Sequence, residues 1–87
     1  MYAIENSEKI DKILRKLSKR NPSQLDAVAK KLPEIAEDPH RFKPLSNVMK
    51  GFSRVHFGSY VLPFSIDEER KTVVLEDYEH HDRVYGK

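Results

Sequence analysis

The chain has 87 residues, with 16 Lys and Arg against 14 Asp and Glu, and no cysteine. That length suits one small domain, residues 1–87, with a modest core. The missing thiols exclude a disulfide framework or a thiolate metal centre. No apolar stretch approaches the roughly 18 residues that span a bilayer. The opening Met1-Tyr2-Ala3-Ile4-Glu5-Asn6 lacks the basic and apolar blocks of a signal peptide. A cytoplasmic protein without membrane contact is therefore expected. The net charge of +2 is too small to argue nucleic-acid binding, but the cations cluster. Eight fall between Lys9 and Lys31, and His40 to His56 carries four Lys or Arg and no carboxylate. A locally basic surface attracts polyanions, although a Lys-rich helix face is more often only solvated.

Tyr2 to Ile4 reads as a short opening strand. Ser7 sits where an N-cap belongs, and Glu8 suits the positive end of a helix dipole. Ile10, Ile13, Leu14 and Leu17 then recur at the spacing of one buried stripe, which predicts a helix over 7–20. Asn21-Pro22 ends it and starts a second helix over 22–37, with Asn21 as cap and Pro22 in the first turn. Leu25, Val28, Ala29, Leu32 and Ile35 or Ala36 form its stripe. Pro33 removes a backbone donor there and predicts a kink or a break. The two helices form an antiparallel pair.

Beyond His40–Ser46 the period changes to alternation. Strands are expected near 51–57, 60–67 and 71–78, with Gly58-Ser59 and the polar run Asp67–Lys71 as turns. Val55 and Phe57 share one face of the first of these strands, and Arg54 and His56 the other. Leu62, Phe64 and Ile66 share a face of the second, where Pro63 suggests an edge position or a bulge. The order β-α-α-β-β-β predicts an α+β fold, a helical hairpin on one face of a small, mostly antiparallel sheet.

The densest chemistry lies in Asp77-Tyr78-Glu79-His80-His81-Asp82-Arg83-Val84-Tyr85-Gly86-Lys87. His80, His81 and Tyr85 handle protons, and Arg83 is a fixed cation. Arg54 and His56 project about 7 Å apart from one strand face. That pairing suits a phosphate held beside a hydroxyl that gains or loses a proton. The plain alternatives are a polar tail and a solvated sheet face. If the tail folds back, His80, His81, Arg83 and Tyr85 converge with Lys50, Arg54 and His56. No metal is expected, because adjacent His80 and His81 on a strand point apart and no HExxH motif accompanies them.

The run Lys50-Gly51-Phe52-Ser53-Arg54-Val55-His56-Phe57-Gly58-Ser59-Tyr60-Val61-Leu62, with His80-His81-Asp82-Arg83-Val84-Tyr85, resembles the RelE toxins of the RelE/ParE superfamily. The resemblance covers nearly the whole chain and shares its order of elements. It implies the toxin half of a toxin–antitoxin pair, partnered by a cognate antitoxin. It further implies an endoribonuclease that cuts mRNA on the ribosome, by attack of a ribose 2′-hydroxyl on the adjacent phosphate and without metal or other cofactor. Arg54 and His56 match the family's basic strand pair at the scissile phosphate. Tyr85 matches a C-terminal aromatic that stacks or transfers protons, and His81 falls where a basic residue is common. On this reading Arg54, His56, His81 and Tyr85 are catalytic, while Lys50, His80 and Arg83 bind RNA phosphate. One departure stands out: Val61 follows Tyr60 where members commonly carry an arginine that stabilises the transition state. This departure keeps open a non-catalytic inhibitor of a protein target such as DNA gyrase, as in the ParE branch, or a degenerate homologue.

Overall fold

A computed structural model of the chain describes residues 1–45 and 51–84. The elements in order are β1 (Ala3–Asn6), α1 (Glu8–Arg20), α2 (Pro22–Glu37), a 3-10 turn (Pro39–Arg41), β2 (Ser53–Phe57), β3 (Tyr60–Asp67), β4 (Thr72–Leu75), β5 (Glu79–His80) and the one-turn α3 (His81–Val84). The sheet order is β1-β4-β3-β2, with β1 parallel to β4 and the other pairs antiparallel. β5 lies beside β3 beyond the end of β4. This is the expected α+β architecture, a mostly antiparallel sheet with one parallel pair, β1 with β4.

Both helix starts follow the sequence signals. Ser7 Oγ accepts from the Ile10 N–H at 3.2 Å, and the Asn21 side chain accepts from Gln24 N at 3.2 Å. Each satisfies a donor that the first helical turn leaves orphaned. The α1 stripe of Ile10, Ile13, Leu14 and Leu17 packs on the sheet, as do Val28, Leu32 and Ile35 of α2. Val55, Leu62, Phe64, Val73, Leu75 and Tyr78 meet them from below. Phe64 is fully buried, which alone contributes roughly 2–3 kcal/mol of apolar transfer. Two expected features of α2 fail, Ala29 in the buried stripe and a break at Pro33. Ala29 is exposed, and the helix runs unbroken to Glu37 with Pro33 inside it. Packing of Leu32, Ile35 and Ala36 on either side of the proline outweighs one missing backbone bond.

Pro63 lies in a central strand, paired with β2 at Arg54, and not at an edge. The cost of its missing N–H is met locally. β4 has already ended opposite it, and the Glu76 N–H donates to the Pro63 carbonyl at 2.9 Å. The bond that a non-proline residue would return goes instead from Ser7 Oγ to the Glu76 carbonyl, at 3.2 Å. One hydroxyl thus caps α1 and covers the gap left by the proline. The strand expected over 71–78 ends at Leu75 as β4, and β5 follows beyond it at Glu79–His80.

The alternation in β3 is incomplete as a guide, since Val61, Leu62, Pro63 and Phe64 are all buried. The face turned away from the helices carries a second cluster of Leu45, Val61 and Val84, with Phe52 packed against it. The outer edge of β2 is partly covered, because Leu45 N donates to the Phe52 carbonyl and Arg54 N to the Lys43 carbonyl. Gly58 turns the β2–β3 hairpin at φ +62°. A two-residue hairpin turn requires such a left-handed residue.

Glu68, in the β3–β4 turn, ties three segments together. It accepts from the Tyr2 hydroxyl and from Lys71 Nζ, and contacts the His40 ring. These bonds, that from His40 first, draw its carboxyl from the usual 4.5 down to about 2. A depressed carboxyl adds stability above its unfolded pKa and loses it as pH falls through the folded value. The thermal midpoint is expected to drop between about pH 4.5 and 2, and to drop less over that window in Glu68→Gln. Parallel melting profiles of the two proteins would refute this role.

Candidate active site

Cross-strand register fixes which side chains share a face. His56 lies opposite Val61, and Val61 lies opposite Glu79 on its other side. Arg54 lies opposite Pro63. Arg54, His56, Val61 and Glu79 therefore face away from the helices, on the surface where Val84 packs against Val61. That contact seats α3 over this face, and α3 begins with His81. Burial, then the positive charges of Arg54 and His81, hold the His56 pKa below its ordinary 6.5. An imidazole so placed is neutral at neutral pH and able to accept a proton.

Arg54 is half-buried, and its Nε is shielded from solvent without an acceptor among the described residues. Its backbone is fixed on both sides, by Pro63 in the ladder and by the Lys43 carbonyl. The His81 Nδ1 lies 3.2 Å from Asp82 Oδ1. This contact orients the ring and leaves Nε2 as its working nitrogen.

Of the residues expected to converge, Arg54 and His56 share one face, and His81 lies near enough for its charge to act on His56. His80 is placed otherwise. It pairs with Tyr60 and sets its ring edge-on to the Tyr60 ring at 5.7 Å, at the end of the sheet. Arg83 is exposed, and its ionic neighbour is Glu79 at 4.0 Å. Lys50 and Tyr85 lie outside the described residues. His40 is remote, on Glu68.

The expectation that His80 and His81 point apart is overturned. The chain passes from strand to helix between them, so their rings stack at 4.7 Å with 27° between planes. Ligand atoms of His80, His81 and Asp82 lie within 4.8 Å of one another. These three are the described residues that could hold an ion. Two further residues escaped the sequence reading. Glu79 brings a carboxylate into the row of His56. Tyr78, nearly fully buried, stacks on Tyr60 at 5.2 Å. Glu79 had a signal in its register with Val61, which a strand at 79–80 would have revealed.

The ParE toxin family of type II toxin–antitoxin systems matches residues 2–85. A relative from Methanocaldococcus jannaschii named "Putative toxin RelE4" is 48% identical over 88 residues, covering 100% of this chain and 94% of its own. Among solved structures, a chain of the RelBE2 toxin–antitoxin complex of Mycobacterium tuberculosis superposes with TM-score 0.77 and 30% identity, over 91% of this chain and 96% of that one. A metal-bound toxin from Helicobacter pylori does so with TM-score 0.70 and 28% identity, over 97% and 99%. The chain belongs to the RelE/ParE superfamily of toxins of type II toxin–antitoxin systems.

Proposed function

We propose that this toxin is an endoribonuclease that cuts mRNA on the ribosome and is silenced by a cognate antitoxin. The observation that supports this reading is Arg54 beside a His56 whose pKa is held down, with the charge of His81 acting on the same ring. Arg54 grips the scissile phosphate. His56 takes the proton of the ribose 2′-hydroxyl, whose oxygen attacks phosphorus. The bond from phosphorus to the 5′-oxygen breaks, and that oxygen leaves with a proton from His81. The products are a 2′,3′-cyclic phosphate and a 5′-hydroxyl. Tyr85 is assigned to stacking or proton transfer by family resemblance, and Lys50 to phosphate binding as a cation of the run that carries Arg54 and His56. Arg83 adds positive charge at the rim, and His80 a hydrogen-bonding ring.

Purified ribosomes carrying a defined mRNA are expected to yield cleavage with those termini, and chelator is expected to leave the rate unchanged. Added Zn²⁺ is expected to slow it, because an ion on His80, His81 and Asp82 would bind a neutral His81 ring and compete with the protonated ring that the reaction needs. Abolition by EDTA would overturn the mechanism. Co-expression with a small antitoxin is expected to give a complex stable to size exclusion.

One feature supports the reading as a non-catalytic inhibitor. Val61 is fully buried beneath α3, with Glu79 beside it, where family members commonly carry an arginine. Inhibition of gyrase supercoiling with intact mRNA would favour that alternative.

A further inference from the structure

On the helix side of the sheet end, a cavity of about 410 Å³ opens between the last turns of α1, the α1–α2 junction and the start of β3. An aliphatic wall from α1 encloses it, and Lys16, Arg20, Asn21, Gln24, Tyr60 and Tyr78 complete the lining. We propose that this cavity holds one nucleotide of the single-stranded RNA, flanking the phosphate held at Arg54 and His56. The proposal rests on the nuclease reading above and extends it to a second subsite.

Charge is the first argument. Lys9, Arg41, Arg70 and Lys71 are each paired with a carboxylate. Lys16 and Arg20 are exposed, one helical turn apart, and, like Lys12, Arg15 and Lys19 on the same helix, have no carboxylate within ion-pair distance among the described residues; of these five, Lys16 and Arg20 line the cavity. No carboxylate lines the cavity either. Two unspent cations at the mouth of a half-apolar cavity suit a phosphate on a flat apolar body.

The second argument is the aromatic floor. Tyr60 is 38% exposed, unusual for a large apolar side chain in this fold, and rests on Tyr78 with 14° between ring planes. A base stacks on such a platform whatever its sequence. The Tyr78 Oη is buried and finds no acceptable partner among the described residues. Burial pushes its pKa up, and Gln24 stands close enough to oppose this. The Asn21 carboxamide is already used, capping α2 through Oδ1 and donating to Gln24 Oε1 at 3.2 Å. With its Oε1 engaged by Asn21, Gln24 offers its carboxamide nitrogen to the Tyr78 hydroxyl and, through the second hydrogen, to a base edge.

Continuity is the third. Tyr60 meets His80 edge-on, His80 stacks on His81, and the His81 charge reaches His56. The cavity and the catalytic face are therefore two ends of one polar path around the end of the sheet. An antitoxin helix fits poorly as occupant. With side chains it is about 10–12 Å across, and a cavity of this size admits one or two of its side chains.

The test uses the full chain and the four 5′-ribonucleoside monophosphates, followed by backbone amide NMR. Each nucleotide is expected to shift the Arg20, Gln24 and Tyr60 signals, and inorganic phosphate or a free nucleoside to bind about tenfold more weakly or worse. Tyr60→Ala should weaken binding by about ten- to a hundredfold. Lys16→Ala with Arg20→Ala should weaken it at least as much as the loss of phosphate does. Gln24→Ala should alter the ranking of the four bases. In ribosome assays the Lys16 and Arg20 variants should raise KM and leave kcat unchanged. Because His81→Ala should leave nucleotide binding intact, failure of cleavage and failure of this subsite are separable. Absence of shifts at these residues with millimolar nucleotide would overturn the proposal. So would shifts there with a co-purified antitoxin and none with nucleotide, which would assign the cavity to a protein partner.

Discussion

Arg54→Ala is expected to lose RNA binding at the cleavage site and cleavage together. A charge-assisted contact to phosphate is worth about 1.5–3 kcal/mol, or roughly ten- to a hundredfold or more in affinity. Removing a group that also meets the charge developing in the transition state costs about a further 10²–10³-fold in rate. The fold should survive. The anchors of β2 at this position are the ladder to Pro63 and the backbone bond from Arg54 N to the Lys43 carbonyl, both independent of the side chain. Arg54→Lys should restore part of the binding but less of the rate, since an ammonium keeps the charge and loses the fork. Measured binding and single-turnover cleavage that both persist in Arg54→Ala would remove this residue from the site.

His81→Ala is expected to lower cleavage by about 10²–10⁴-fold, the usual range for a general acid or base, with binding preserved. A second readout needs no activity. His56 is held below 6.5 by burial, then Arg54, then His81. Loss of the His81 charge should therefore raise the His56 pKa, and Arg54→Ala should raise it further. Proton NMR of the His56 ring would register both shifts. In the wild type, acidification protonates His56 only below 6.5, so the acid limb of the rate should lie below that value. For folding, a histidine with a lowered folded pKa binds fewer protons folded than unfolded. Its contribution is complete above 6.5 and declines as pH falls toward the folded value. An unchanged His56 titration in His81→Ala would mean that α3 does not meet β2.

The helices were readable because their signals are local. Ser7, Asn21 and Pro22 mark the starts, and Ile10 to Leu17 repeat with the helical period. The face shared by Arg54 and His56 followed from strand alternation alone. What could not be read depended on partners distant in sequence. Pro63 looks like an edge residue until Glu76 and Ser7 are seen to supply its missing pairing. Pro33 looks like a breaker until the packing around it is counted. His80 and His81 look divergent on any continuous strand. Only the change from β5 to α3 between them, with Val84 anchored on Val61, brings their rings together. Glu79 was hidden for the same reason, since its neighbour is set by register with Val61.

The parallel pairing of Ala3–Asn6 with Thr72–Leu75 has a consequence for how the cell makes this protein. Nearly the whole chain must be closed into a loop before β1 has a partner, and pairings of such long range form late. A nascent chain on its own ribosome can wind α1 and α2, but it has no β4 on which to complete the sheet. Of the two histidines assigned to the chemistry, His56 precedes β4 in the chain, and His81 follows it and is synthesised later still. The sheet is therefore completed only once β4 has been made, and a copy cut short of residue 72 lacks both the partner of β1 and His81.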